Sequence, residues 1–152
     1  MENYEINEDT LAVLGIDEFN TLIIEKDKEY QIPKKAYEVM EENCQYYGSS
    51  YSGRNQAAKT MLDCSYKLPI LIEESSMLIF FPTKSSLLES CCWINYNGIK
   101  SIEKNDNNTN VLLTNNKEIE LEISSLSFQN QVYRSTKLES IIRKRLKGLK
   151  KD

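Results

Sequence analysis

Short apolar runs separated by polar, turn-forming residues place the strongest limit on the fold. The front of the chain holds four such runs: Tyr4–Ile6, Thr10–Leu14, Phe19–Ile24 and Tyr30–Ile32. Runs of this length, rich in β-branched residues, are typical of strands, and the Asn, Asp, Glu and Gly between them suit turns. We therefore predict that the chain begins with antiparallel strands.

Two helices are predicted to follow these strands. Apolar or small side chains recur at steps of three and four along residues 34–47, which indicates an amphipathic helix. The positions are Ala36, Val39, Met40, Asn43, Cys44 and Tyr47. Pro33 suits the start of this helix, and Gly48 suits the position just past its end. A second, shorter helix is predicted at about residues 53–62.

The second half returns to strands. The predicted strands are Pro69–Ile72, Met77–Phe81, Trp93–Tyr96, Gly98–Glu103, Val111–Thr114 and Glu118–Ile123. The last four should form a β-meander, with Asn115 and Asn116 supplying the positive φ of a tight turn. The stretch Asn105–Asn110 contains no core-forming residue and is predicted to be a polar loop.

A basic helix is predicted to end the chain, at about residues 127–150. Ser127 could cap it, and one face carries apolar or small side chains. These are Phe128, Val132, Ser135, Leu138, Ile142 and Leu146. No repeat or linker divides the sequence, so we expect a single α+β domain over residues 1–152, with antiparallel strands, two central short helices and this C-terminal helix.

Several classes of protein are disfavoured by what the chain lacks. It has no histidine, which removes histidine-based catalytic triads, dyads and metal sites. The four cysteines, Cys44, Cys64, Cys91 and Cys92, form no CxxC pair. We therefore expect no enzyme activity, no metal and no cofactor. No apolar run approaches the roughly 20 residues that span a bilayer, and the acidic N-terminus does not resemble a signal peptide, so we expect a cytoplasmic protein without membrane contact.

The charge is unevenly distributed along the chain. Residues 1–32 hold nine acidic residues and two lysines, a net −7, and residues 33–133 carry a net −3. Residues 134–152 hold eight basic and two acidic residues, a net +6. A basic end of this kind indicates either contact with an anionic partner or a solvated tail that pairs with the acidic front.

The stretch YYGSSYSGR, at residues 46–54, does not fit a nucleotide-hydrolysing loop, and three other interpretations stay open. Gly48 and Gly53 match the GxxxxG spacing of such a loop, but Arg54 and Asn55 replace the required Lys and Ser or Thr. Backbone amides of the following helix, with Arg54 and Lys59, could instead hold a nucleic-acid phosphate. The tyrosines could also stack on bases. The third interpretation is a capped turn between two helices.

Seven segments, read in order, resemble the ComK family of competence transcription factors. They are EINEDTLAVL at 5–14, IIEKD at 23–27, CQYYGSSYSGR at 44–54, LPILIEES at 68–75, IFFPT at 79–83, CWI at 92–94 and SFQNQVYRST at 127–136. The resemblance implies a positive transcriptional regulator of a low-GC Gram-positive bacterium. It also implies binding of double-stranded DNA at paired A/T-rich promoter boxes, largely through the minor groove, and homo-oligomers assembled from dimers.

Charge and position suggest which residues would contact DNA. A narrow A/T-rich minor groove attracts arginine and lysine, so Arg54 is the first candidate, followed by Lys59, Arg134 and Lys137. Arg143, Lys144 and Arg145 would contact phosphates. The loop motif that carries the resemblance comprises Tyr47, Gly48, Ser49, Ser50, Tyr51 and Gly53. We expect Arg54, Lys59 and the basic end of the chain to share one exposed face.

The chain departs from the family pattern at its end. Longer family members continue beyond the SFxNQxYR helix into a tail that is associated with the MecA adaptor and the ClpC–ClpP protease. This chain ends near residue 152, so we do not expect degradation by that adaptor route, although RNA polymerase stays an implied partner. Two hypotheses follow: a DNA-binding activator of competence genes, or a shortened, non-activating relative that binds another regulator.

Overall fold

Nine strands and three α-helices form residues 3–149, the part of the chain that this computed structural model describes. The strands are β1 (Thr10–Asp17), β2 (Asn20–Glu25), β3 (Glu29–Ile32), β4 (Ile70–Glu73), β5 (Leu78–Pro82), β6 (Cys92–Asn95), β7 (Ile99–Asn105), β8 (Asn108–Leu113) and β9 (Glu118–Leu121). The helices are α1 (Ala36–Tyr46), α2 (Tyr51–Leu62) and α3 (Ser125–Leu149). The predicted α+β class, with antiparallel strands, two central helices and a C-terminal helix, is confirmed.

The strands form two antiparallel sheets. The larger sheet has six strands in the order β3-β2-β1-β6-β5-β4, and the smaller has three in the order β7-β8-β9. Strand β1 pairs with β2 on one side and with β6 on the other, where Val13 lies opposite Trp93. The first and second halves of the chain therefore meet at the centre of the large sheet.

Both faces of the large sheet are buried, so its strands alternate between two cores. Val13, Ile23 and Trp93 pack on one face with the apolar side of α1. Their neighbours Ala12 and Ile24 point to the other face, which packs against the small sheet and Phe128 of α3. Because successive side chains of a strand point to opposite faces, burial on both sides produces the continuous apolar runs seen in the sequence.

A third core lies at the β4 end of the large sheet, where α2 and α3 meet. Ala58 and Leu62 of α2 pack with Leu138 and Ile142 of α3. Leu71 of β4 completes this contact from the sheet. The contact fixes the relative position of α2 and α3, the two helices that carry the basic residues considered below.

The segment Tyr4–Ile6 is not a strand as the sequence predicts. The Ile6 amide donates to Oδ1 of Asn43 at 2.7 Å, and Nδ2 of Asn43 donates to the Tyr4 carbonyl at 2.9 Å. A side chain of α1 thus takes the hydrogen bonds that a neighbouring strand would otherwise make.

The stretch Asn105–Asn110 is also not the predicted polar loop. Asn105 pairs with Asn108 across the β7–β8 hairpin, which leaves a turn of two residues in which Asp106 has φ 53°. Thr109 is fully buried and donates to the Ile123 carbonyl at 2.7 Å. Asn116, with φ 71°, does supply the positive φ predicted for the β8–β9 turn.

The predicted starts of two helices lie too late in the chain. Helix α2 begins at Tyr51 rather than at residue 53, and α3 begins at Ser125. The cap of α3 is Ser124 and not Ser127, because the Ser127 amide donates to Oγ of Ser124 at 3.2 Å. The predicted helix end at residue 150 lies outside the described residues.

Candidate nucleic-acid interface

The first half of YYGSSYSGR ends helix α1 in a Schellman motif. Gly48 has φ 89°, which glycine adopts more easily than other residues. Its amide donates to the Gln45 carbonyl at 3.0 Å, and the Ser49 amide donates to the Cys44 carbonyl at 2.9 Å. These are the two hydrogen bonds by which a glycine just past a helix satisfies the last carbonyls.

The second half of the same stretch begins helix α2. Oγ of Ser50 accepts a hydrogen bond from the Gly53 amide at 2.9 Å, which makes Ser50 the N-cap. A Cβ at Gly53 would lie 2.9 Å from that hydroxyl oxygen, so a larger residue would disturb the cap. The local geometry therefore corresponds to the third interpretation, a capped turn between two helices.

Two of the three tyrosines in this stretch take part in the fold. The Tyr47 hydroxyl donates to the Ile6 carbonyl at 2.6 Å. Tyr51 is buried, and its ring lies edge-on to Trp93, with ring centroids 6.0 Å apart, and 4.8 Å from that of Tyr37. Burial raises the pKa of Tyr51 to about 12. Tyr46 alone of these three is exposed, so base stacking by Tyr47 and Tyr51 is incompatible with this conformation.

Arg54 is half-buried rather than fully exposed. It lines a groove of about 180 Å³ between α2, α3 and the β4–β5 turn, which we call the α2–α3 groove. The apolar floor of the groove consists of Met61, Leu71, Leu138, Ile142 and Leu146, and its charged side chains are Arg54, Glu74 and Arg145. Nε of Arg54 is buried and has no hydrogen-bond partner within residues 3–149.

Lys59 does not share the position of Arg54. The two residues are five apart on α2, which places them about 140° apart around the helix axis. Arg54 lines the α2–α3 groove, whereas Lys59 is exposed and does not line it. The expectation that both cations lie on one face is therefore not met.

Arg134 supports the fold at the start of α3. Its Nη1 donates to the carbonyls of Tyr66 and Lys67, each at 3.2 Å, and to Oε1 of Gln131 at 3.1 Å. Nε2 of Gln131 also donates to the Lys67 carbonyl at 2.9 Å. Arg134 is thus largely engaged in joining α3 to the segment after α2, which the sequence did not indicate.

The remaining basic candidates lie on different sides of α3. Lys137, Arg143, Lys144 and Arg145 are all exposed. Arg143 pairs with Glu139 at 2.5 Å and, with Lys144, lines a second depression beside Tyr96. Arg145 lies about 160° around the helix from Arg143 and lines the α2–α3 groove together with Arg54. The seven predicted cations therefore do not form one face, but the structure brings Arg54 and Arg145 together.

Two further kinds of feature are absent from the described residues. Within residues 3–149, no cluster of three or more Cys, Asp or Glu side chains is arranged to hold a metal ion. No helix in the same part of the chain combines the length and apolar character needed to cross a membrane.

Comparisons with known proteins identify the family. The profile of the ComK protein family matches residues 1–147. The competence transcription factor of Bacillus subtilis strain 168 is 36% identical over 150 residues, which cover 96% of this chain and 78% of that protein. No solved structure matches the chain significantly. The chain belongs to the ComK family.

Proposed function

We propose that this protein is a DNA-binding transcriptional activator of competence genes that recognises A/T-rich promoter boxes. Its ComK family membership makes it a competence transcription regulator. Binding to DNA, preference for A/T-rich boxes, activation, a cytoplasmic location and assembly into homo-oligomers are parts of the proposal, and so is the absence of enzyme activity.

The observation that carries the proposal is the row of exposed cations along α3. Lys137 and Lys144, seven residues apart, lie on one side of the helix, and Arg145 lines the α2–α3 groove together with Arg54 of α2. Cations that contact the DNA backbone release condensed counterions, which favours binding, and arginine is attracted into a narrow A/T-rich minor groove.

Arg54 and Arg145 have different roles in this proposal. Arg145 is exposed near the end of a helix and can reach outwards, whereas Nε of Arg54 is buried. We therefore assign the principal DNA contact to Arg145, with Lys144 on phosphate and Arg54 supporting the positive potential from α2. Lys59 and Lys137, both exposed, make further phosphate contacts, while Arg134 stabilises the helix.

The test is fluorescence anisotropy on a duplex with two A/T-rich boxes and on a scrambled duplex of equal composition, across a salt series. Arg145→Ala should weaken DNA binding at least fivefold. It should also reduce the slope of log K against log salt by about one, because one contact with a DNA phosphate or with the minor groove is lost.

The matched control is Lys28→Ala, which removes the same charge. Lys28 is exposed at the turn between β2 and β3, at the opposite edge of the large sheet from α2 and α3. Its substitution should leave the affinity within twofold. Equal binding to both duplexes, or an equal loss in both variants, would contradict the proposed interface.

A second function, binding of another regulator without activation, is favoured by an exposed apolar surface. Ile16 and Phe19 lie exposed at the β1–β2 hairpin, and Leu87 and Leu88 are exposed in the loop before β6. Glu18 lines one depression together with both leucines, so hairpin and loop are neighbours. Adjoining exposed apolar side chains often mark interaction surfaces.

This alternative predicts association without specific DNA binding. The chain would form a larger species with the Bacillus subtilis relative in sedimentation velocity, and Phe19→Ser would abolish that species. Tight, box-specific DNA binding with reporter activation by the chain alone would instead exclude a non-activating role.

A further inference from the structure

Arg54 contains a buried hydrogen-bond donor that the protein leaves unused. Its Nε has no hydrogen-bond partner within residues 3–149, although more than nine in ten buried polar groups in native proteins have one. Glu74 also lines the α2–α3 groove, but it forms no ion pair with Arg54 in the described part of the chain. The Arg54 guanidinium therefore keeps its positive charge beside the groove without an acidic partner in residues 3–149.

The neighbouring thiol does not provide that acceptor in charged form. Cys44 is buried close enough to Arg54 for the guanidinium to favour its thiolate, yet burial dominates and raises the pKa of Cys44 to about 11. Near neutral pH the thiol is therefore uncharged, and the positive charge of Arg54 is not balanced from that side.

The shape of the groove limits what could enter it. Its volume of about 180 Å³ is similar to the roughly 150 Å³ of an engineered protein cavity that binds benzene. Its floor is apolar and consists of Met61, Leu71, Leu138, Ile142 and Leu146. Such a space accommodates an apolar chain or ring of roughly six to eight carbon atoms and is too small for a helix or strand.

The charges around the groove limit the ligand further. Arg54 and Arg145 contribute two positive charges against the one negative charge of Glu74. Guanidinium groups bind carboxylates through paired, charge-assisted hydrogen bonds, so a monoanion fits this site and a cation does not.

We propose that the α2–α3 groove binds a small amphiphilic monocarboxylate. Its apolar part lies on Leu71, Leu138 and Ile142, and its carboxylate accepts hydrogen bonds from the guanidinium groups of Arg54 and Arg145. This site goes beyond the proposed DNA-binding function, and binding is measured without DNA, so either proposal can fail while the other stands.

The test uses three commercial probes on the full chain: octanoate, octylammonium and acetate. The Arg54 Nε–H group gives its own ¹⁵N–¹H signal, which reports on the surroundings of the Arg54 guanidinium. Octanoate below its micelle concentration should shift this signal saturably. Octylammonium, with the same chain and the opposite charge, and acetate, with the same charge and no chain, should each bind at least tenfold more weakly. Equal binding of octanoate and either control would overturn the proposal.

Substitutions test the residues. Arg54→Lys keeps the charge and removes the planar guanidinium that pairs with a carboxylate, so we expect octanoate affinity to fall at least fivefold. Arg143→Lys is the matched control, because Arg143 faces away from the groove and should leave the affinity unchanged. Glu74→Gln should tighten binding about twofold by removing the opposing charge. Unchanged octanoate affinity in Arg54→Lys would also overturn the proposal. If Arg54→Lys does not fold, Arg145→Lys replaces it in this test, with the same expected loss of affinity.

Discussion

Asn43 is a buried polar side chain whose hydrogen bonds join helix α1 to the N-terminal segment. Its Oδ1 accepts from the Ile6 amide, and its Nδ2 donates to the carbonyls of Tyr4 and Val39. The amide oxygen and both N–H groups of Asn43 are thus hydrogen-bonded. The side chain takes the place of a neighbouring strand for the N-terminal segment.

Asn43→Ala should therefore destabilise the protein substantially. The Ile6 amide and the Tyr4 carbonyl would be left without partners, which costs about 2–4 kcal/mol in the free energy of unfolding for the two groups together. Urea unfolding would measure the change. The control is Gln45→Ala on the exposed side of the same helix, which should cost less than about 0.5 kcal/mol. Similar losses in both variants would contradict this role of Asn43.

Ser50 is the second residue with a defined local role. Ser50→Ala removes the oxygen that accepts from the Gly53 amide, so we expect a loss of about 1 kcal/mol, typical of an N-cap. Ser49 makes no side-chain hydrogen bond within residues 3–149, and Ser49→Ala should be close to neutral. A thermal melt of both variants would show whether the motif serves as a cap or whether its serines are interchangeable.

Helix α3 is held at its start by a polar clamp as well as by its apolar face. Gln131 is buried and donates to the carbonyls of Lys67 and Pro82, at 2.9 and 2.8 Å. Arg134 donates to the same Lys67 carbonyl. These bonds tie α3 to the segment after α2 and to the end of β5, so the clamp fixes the direction in which the basic end of α3 extends.

Gln131→Ala should loosen this helix. The Pro82 carbonyl would lose this donor and the Lys67 carbonyl would keep only Arg134, so we expect a loss of about 2 kcal/mol in stability, with faster amide hydrogen exchange in residues 128–138. Gln129→Ala, on the exposed side of α3, is the control and should change neither quantity. Unaltered exchange in Gln131→Ala would mean that apolar contacts alone hold the helix.

The elements that sequence patterns predicted well are those with a clear local cause. The buried face of α1 repeats at helical spacing, and four of the five buried residues are apolar or small in the sequence pattern, with Asn43 as the exception. Tyr4–Ile6 has the apolar pattern of a strand, but the distant side chain of Asn43, rather than a neighbouring strand, satisfies its backbone. The polar pattern around Thr109 predicts a loop, but Thr109 is buried through a hydrogen bond to Ile123, 14 residues away.

The whole molecule should lose stability at alkaline pH. Burial raises the pKa of Cys44 and of Cys91 to about 11, and that of Tyr51 to about 12. The unfolded chain ionises these groups at lower pH than the folded protein does. The contribution of these groups to the free energy of unfolding is therefore present below about pH 8.5, the ordinary pKa of cysteine. It is lost as pH rises from there through the raised pKa values of the folded protein.

Urea unfolding between pH 8 and pH 10.5 tests this sign. The free energy of unfolding should fall with a slope of up to about 1.4 kcal/mol per pH unit for each ionising group. Cys91→Ala lowers stability at every pH. The fall in its free energy of unfolding with pH should be less steep than that of the unchanged protein, by up to about 1.4 kcal/mol per pH unit, because one ionising group is missing. A slope identical to that of the unchanged protein would show that Cys91 does not contribute.

In the candidate interface, separation along the chain does not predict which cations lie on the same surface. Arg54 and Lys59 are neighbours in sequence, yet helical geometry turns them about 140° apart. Arg54 and Arg145 are far apart in sequence, yet the packing of α2 on α3 places both on one groove. The local basic character of the chain end predicted a charged helix correctly, but it could not indicate which of its cations face Arg54.

Local patterns in the sequence specify the elements whose causes are local. Apolar spacing, turn residues, caps and the Gly48 position specify most strands, helices and connections to within a few residues, and the ordered motifs specify the ComK family. How these elements share cores and which charges meet depends on tertiary packing. Burial on both sheet faces, the Asn43 and Gln131 hydrogen bonds and the α2–α3 groove all depend on residues tens of positions apart, and such contacts leave no periodic trace in a single sequence.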